Sequence, residues 1–211
     1  KLILKQSAEF LKETLNEQQR KGRKRSRPKI LLTSCLDEAL EIYNKYKSNL
    51  LGVISDVGFI RHKDDLPEDE QLDAGIELVK LIKKDDPMMP VLLQSSQESI
   101  AEVAKELGVG FLRKWSKTLM IQMGEYIRDE FGFGDFIFRD ANGMEYGKAS
   151  NLRELEVVVK SIPDDVLTYN TSRNMLSKWL YSRGLFTLGS TFKHVQGSQF
   201  QDIGGLRKYV S

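Results

Sequence analysis

Polar side chains end three apolar stretches of this sequence. Asp56 closes "LLGVISD", Ser95 and Ser96 close "PVLLQSS", and Lys114 closes "GFLRK". A carboxylate, a hydroxyl and an ammonium group can form an ion pair, share hydrogen bonds and hold a ligand. Leaving one of them unpartnered in the interior costs about 1–3 kcal/mol for a neutral group and more for a charge. The plainest uses are structural: Asp56 capping a turn, Lys114 in a salt bridge to Asp56, and Ser95 capping the following helix. Other clusters are poorer. His62 and His194 are far apart and have no cysteine partner at zinc spacing. Cys35 has no adjacent His or basic group and reads as a buried thiol. The run "RKGRKRSRPK" at 20–29 holds seven Lys or Arg. It offers Arg23, Lys24 and Arg25 to a nucleic acid or anionic surface, without aromatics between them for base stacking.

The elements that must position Asp56, Ser95 and Lys114 follow from hydrophobic spacing. Leu4, Ala8, Leu11 and Leu15 mark a helix over 1–19. "KILLTS" (29–34) reads as a strand. "LDEALEIYNKYKS" reads as an amphipathic helix with Asp37 as its N-cap. "LLGVISD" is apolar enough for a strand covered on both faces, and "RHKDDLPEDEQLD" (61–73) is an acidic loop. Helix "AGIELVKLIKKD", strand "PVLLQSS" (90–96) and helix "QESIAEVAKELGV" come next, the last with Gly108 at its C-terminus. Strand "GFLRK" (110–114) and helix "SKTLMIQMGEYIRDEFG" complete the alternation.

Strand and helix alternating from 29 to 131 predict a parallel sheet with helices on both faces. Such sheets bind ligands at the carboxyl ends of their strands, where Asp56, Ser95, Ser96 and Lys114 fall. From about 132 the pattern changes. "GDFIFRDANGMEYGKA" reads as two short strands about a turn with Gly143 at positive φ. A helix capped by Asn151 follows, then a helical "SRNMLSKWLYSRGLF" with Trp179 in the core. A loop-like "GSTFKHVQGSQFQ" and a closing helix "DIGGLRKYVS" end the chain. The expected division is 1–131, an α/β domain, and 132–211, a small α+β module.

Composition sets bounds. The chain has 211 residues, 29% charged and 40% hydrophobic, with a formal net charge of +2; this suits a globular, cytoplasmic protein and does not by itself imply a nucleic-acid partner. One cysteine excludes an internal disulfide and fits a reducing compartment. No apolar run approaches a membrane span, and "KLILKQSAEF" is too polar for a signal peptide. The first residue is Lys rather than Met, which predicts a piece of a longer protein.

"DEALEIYNKYKSNLLGVISD", "DAGIELVKLIKKDDPMMPVLLQSS" and "LGVGFLRK" together resemble the response-regulator receiver domain, whose fold is flavodoxin-like. The resemblance implies Asp56 as phosphoacceptor and Ser95 as the hydroxyl that moves to the phosphoryl group. Lys114 would be the ammonium that pairs with either anion, and Phe111 the aromatic that moves with the switch. A carboxylate attacking phosphorus needs its charge screened, which Lys and Mg²⁺ supply in this family. The acyl phosphate formed carries about −1.5 to −2 charge. The metal contacts implied are Asp56 and Gly58. No counterpart of the acidic pair that completes the Mg²⁺ site is expected in this sequence: the 4-8-11-15 stripe favours the family's first helix at the start, and reading "LILKQS" as its first strand instead would put Lys5 and Gln6 in place of the acids. Ile60 and Trp115 stand where the family has Pro, and an acidic insertion precedes "DAG".

"FGFGDFIFRD" and "SRNMLSKWLYSRGLF" narrow the resemblance to the N-terminal region of bacterial phosphoenolpyruvate synthase or pyruvate, phosphate dikinase-like proteins. Asn170 and Met175 occupy places where that group has His, so no phosphohistidine role carries over. The expectation is a non-catalytic regulatory region, a receiver or a pseudo-receiver that docks protein. Its partners would be other parts of the parent chain, a histidine kinase, or a second copy filling the missing strand's place. Mg²⁺ would bind only with an upstream acidic pair. The alternatives are a nucleic-acid-binding regulator using 20–29 and a small-molecule-binding flavodoxin-like module.

Overall fold

The computed structural model describes residues 29–193 and 203–210. The expected helix over 1–19, the basic residues 20–28 and His194 lie outside them. The described residues from Leu31 onward belong to one compact unit. In chain order they form α1 (Leu36–Tyr46), β1 (Val53–Asp56), α2 (Ala74–Asp85), β2 (Val91–Ser95), α3 (Ile100–Glu106), β3 (Gly110–Arg113) and α4 (Leu119–Glu130). After these come β4 (Phe136–Arg139), β5 (Glu145–Ala149), α5 (Leu152–Ser161), α6 (Asp164–Ser172), α7 (Met175–Ser182), α8 (Phe186–Phe192) and α9 (Ile203–Val210).

β1, β2 and β3 make a parallel sheet in that order, in register Ser55–Leu93 and Leu93–Phe111. Val91, Leu92 and Leu93 are fully buried because both faces of β2 are covered. On one face Val91 and Leu93 pack with Leu36 and Tyr43 of α1, Leu78, Val79 and Ile82 of α2, and Ile100 and Ala104 of α3. On the other, Leu92 and Leu112 pack with Met123, Tyr126 and Ile127 of α4. The Tyr126 hydroxyl donates to the Val91 carbonyl at 2.8 Å, so the ring enters the core with its polar end satisfied. The chain is thus α/β, with helices on both faces of a three-stranded parallel sheet.

Three sequence expectations fail here, each for a local reason. "KILLTS" is irregular, with Leu32 85% exposed. A strand needs a paired neighbour, and among the described residues this stretch gains only an isolated parallel bridge, Cys35 to Ile60, at its end. Among the described residues β1 is not covered on both faces: it lies at the edge of the sheet, and Ile54 is 40% exposed. Asp37 is not the N-cap of α1. Cys35 takes that position, and the first N–H groups, of Leu36 and Asp37, donate to the Ile60 and Arg61 carbonyls at 3.1 Å each. The following loop supplies the cap, which frees Asp37 to pair with His62 Nδ1 at 2.6 Å.

Beyond α4 a second core forms around Phe136, Phe138, Leu155, Val159, Trp179 and Leu180. β4 and β5 are an antiparallel hairpin; Asp140 Oδ1 accepts from the Asn142 and Met144 N–H groups, and Gly143 takes φ +85° in the turn. The Asn151 side chain accepts from Glu154 N–H at 3.0 Å and caps α5. The stretch expected as one helix, "SRNMLSKWLYSRGLF", is broken into pieces of α6, α7 and α8, with Asn174 left-handed at φ +57° and Gly184 at +75°. α8 also takes in "GSTF", expected as loop. Gly189 lets it cross α7 closely, where the Ser177 hydroxyl donates to the Gly189 carbonyl at 2.8 Å. The rest of that expected loop, 194–201, lies outside the described residues.

α7 grips the segment "FGFGD" that joins the two cores. Trp179 Nε1–H donates to the Gly134 carbonyl at 3.1 Å, and Ser182 Oγ–H to the Gly132 carbonyl at 2.6 Å. The Arg183 guanidinium lies 3.9 Å from the centre of the Trp179 ring and donates to the carbonyls of Gly132 and Gly134. Gly132 holds φ +78°, and a Cβ there would stand 2.8 Å from the Trp179 nitrogen, so only glycine fits.

One helical turn before Ser182, Lys178 reaches toward the sheet, and its ammonium donates to the Met88 carbonyl in the turn that leads into β2. Burial pushes its pKa down from 10.5 to about 8; Asp86 and Glu130 oppose the shift, and Lys83 and Arg173 add to it. Between those two values the unfolded chain binds more protons than the folded one, so stability rises with pH across that window. From about pH 7 to about pH 9.5 the protein should gain about 2 kcal/mol relative to its Lys178→Met variant. Urea unfolding of both at each pH measures the gain, and a constant difference between them would contradict it.

Candidate functional site

Parallel pairing in register brings the C-terminal ends of β1, β2 and β3 to one rim. Asp56 is the last residue of β1 and Ser95 the last of β2; Lys114 directly follows β3. The Lys114 N–H donates to the Ser95 carbonyl at 2.8 Å, which extends the ladder by one residue and aims the lysine side chain across β2. Its Nζ stands 3.1 Å from Asp56 Oδ1, with the two side chains 32% and 50% exposed. An ion pair this open contributes at most about 1 kcal/mol. Asp56 therefore presents a carboxylate to solvent beside a lysine ammonium.

α2 fixes the height of Asp56. The Gly75 N–H donates to the Val57 carbonyl at 2.8 Å, and a Cβ on Gly75 would lie 2.0 Å from the Asp56 carbonyl oxygen. The Ser55 hydroxyl donates to that same oxygen at 2.7 Å. Ser95 is buried, and its Oγ accepts from the Gln97 N–H at 3.1 Å. In this arrangement Ser95 caps the turn leading into α3.

Asp56 and Lys114 meet directly, and Ser95 joins Lys114 through the backbone. Phe111 lies two residues before Arg113, paired with Leu93 and packed in the sheet core, away from the rim. Gly58 follows β1, and the Glu70 carboxylate of the acidic loop rests against it; a Cβ on Gly58 would be 2.4 Å from Glu70 Oε1. The fit to Mg²⁺ is incomplete: the described residues contain no group of three His, Cys, Asp or Glu side chains able to hold a metal ion. Among the described residues no helix is long and apolar enough to cross a membrane.

The rim holds residues that sequence spacing did not single out. Gly75 sits in a "DAG" whose glycine is legible only once α2 is seen on β1. Arg113 pairs with Glu98 at 2.9 Å. Trp115, marked in sequence only by standing where Pro was expected, is 88% exposed with φ +67°. Comparison with protein-family models, with curated proteins and with solved structures finds no match to the chain.

Proposed function

We propose that this chain is a regulatory rather than catalytic region, with a flavodoxin-like, receiver-type domain whose Asp56 accepts a phosphoryl group. Asp56 and Lys114 in contact at the carboxyl rim of a parallel sheet carry the reading. The Asp56 carboxylate attacks phosphorus, the donor's leaving group departs with the bonding pair, and Lys114 screens the charge that builds on the equatorial oxygens. Ser95 would change partner from the Gln97 N–H to the new phosphoryl oxygens, and that exchange would pass the signal to the turn before α3. The resemblance extends the proposal to a parent enzyme of the phosphoenolpyruvate synthase or pyruvate, phosphate dikinase type.

The test is incubation of the full-length protein with acetyl phosphate and Mg²⁺, followed by intact-mass measurement. The expected result is the gain of one phosphoryl group, lost in Asp56→Asn and strongly slowed in Lys114→Met. No gain would end the phosphorylation reading. A second reading, a pseudo-receiver that docks protein, is favoured by the Ser95 hydroxyl already serving as a cap.

A further inference from the structure

Above the same rim lies an open cleft of about 330 Å³, lined by Ser96, Arg113, Lys114, Trp115 and Ser116. Its lining is two cations, two hydroxyls and an indole. The carboxylates that pair with the cations, Asp56 on Lys114 and Glu98 on Arg113, are not part of it. Each pairing leaves donors over, since an ammonium has three N–H bonds and a guanidinium five. The Ser116 hydroxyl is engaged with Thr118 at 2.9 Å.

Trp115 is the unusual member. A large aromatic side chain almost fully in water gains little from burial, and φ +67° is a strained conformation for any L residue with a Cβ. The fold retains both at a position directly bonded to Lys114. Strain of this kind collects at ligand sites, where the surrounding structure holds it. The opposite case stands in the same chain: Trp179 is buried and hydrogen-bonded.

We infer that this cleft binds a mononucleotide, its base stacked on Trp115 and its phosphate held by Lys114, Arg113 and the Ser96 hydroxyl. An exposed indole offers a face to any base, and the paired cations beside it suit the phosphate. The cleft volume is at the lower end for small-ligand sites, which suits one nucleotide rather than a strand. This goes beyond phosphorylation of Asp56 and does not depend on it. The two share Lys114, so a bound nucleotide would compete with Asp56 for the ammonium.

The test is ADP binding by the full chain with no acetyl phosphate present. The chain has two tryptophans and only Trp115 is exposed, so quenching of the solvent-facing emission reports this cleft. ADP is expected to quench saturably, about tenfold or more tighter than either inorganic phosphate or adenosine. In Trp115→Gly, read by calorimetry, ADP should bind about tenfold or more weaker. The melting temperature should meanwhile rise by about 2–4 °C, because glycine accepts the positive φ. Lys114→Met should weaken ADP and leave adenosine unchanged. No saturable quench, phosphate or adenosine binding as well as ADP, or unchanged ADP affinity in Trp115→Gly would each overturn the assignment. A missing mass gain at Asp56 would overturn only the phosphoacceptor reading.

Discussion

Gly75→Ala is expected to destabilise the protein by about 3 kcal/mol or more, a large effect for one methyl group. The added Cβ would stand 2.0 Å from the Asp56 carbonyl oxygen and 2.9 Å from the Val57 Cα, both backbone atoms that cannot rotate aside. Either α2 lifts off the sheet, or β1 shifts. Lifting α2 loosens Leu78, Val79 and Ile82 together, because all three pack on the β2 face. Shifting β1 moves Asp56 away from Lys114. Urea unfolding measures the loss. The same variant should accept phosphoryl groups from acetyl phosphate more slowly than the parent under conditions where both are folded. A cost under about 1 kcal/mol would mean that α2 does not rest on the Asp56 backbone as described.

Trp179→Ala should cost about 3–5 kcal/mol, the range for truncating a buried aromatic. Trp179 is 1% exposed, meets the Phe136 ring edge-on at 5.9 Å, and donates its N–H to Gly134. Removing the ring opens a cavity between α7 and β4 and also takes the stacking surface from Arg183. The Gly134 carbonyl keeps its bond from Arg183 at 2.7 Å, so the loss is mainly one of packing. Trp179→Phe, which keeps most of the ring, should cost clearly less. Denaturation midpoints of the two variants decide the point; equal costs would shift the weight to the hydrogen bond.

The contrast between what was legible and what was not has a physical basis. Core strands β2 and β3 and helices α2, α4 and α5 were readable because their apolar spacing answers to burial they share with neighbours close in sequence. The turn at Gly143 was readable because its residue types admit so few conformations. "KILLTS" misled because its apolar run states a preference for burial, while a strand also requires a pairing partner that composition does not reveal. The break at Asn174 escaped because one left-handed residue inside a helical pattern leaves no period to detect. At the rim, spacing placed Asp56, Ser95 and Lys114 at strand ends, and the register that lets Lys114 reach across β2 to Asp56 is a property of the folded sheet alone. Nothing in the sequence marks Lys178; its depressed pKa comes from burial, against the turn at Met88, ninety positions earlier in the chain.

β2 joins these two regions physically. One end follows the turn whose Met88 carbonyl receives Lys178, and the other end is Ser95. Between them Val91, Leu92 and Leu93 are wholly enclosed, with a bonded strand on either side. Their amide protons should therefore be the last to exchange with deuterium, at rates that track opening of the whole sheet. Ser95 and Gln97, one step beyond, should exchange far sooner. A stiff rod that frays only at its tip confines any signal at Asp56 to the rim, and leaves the seam at Lys178 undisturbed.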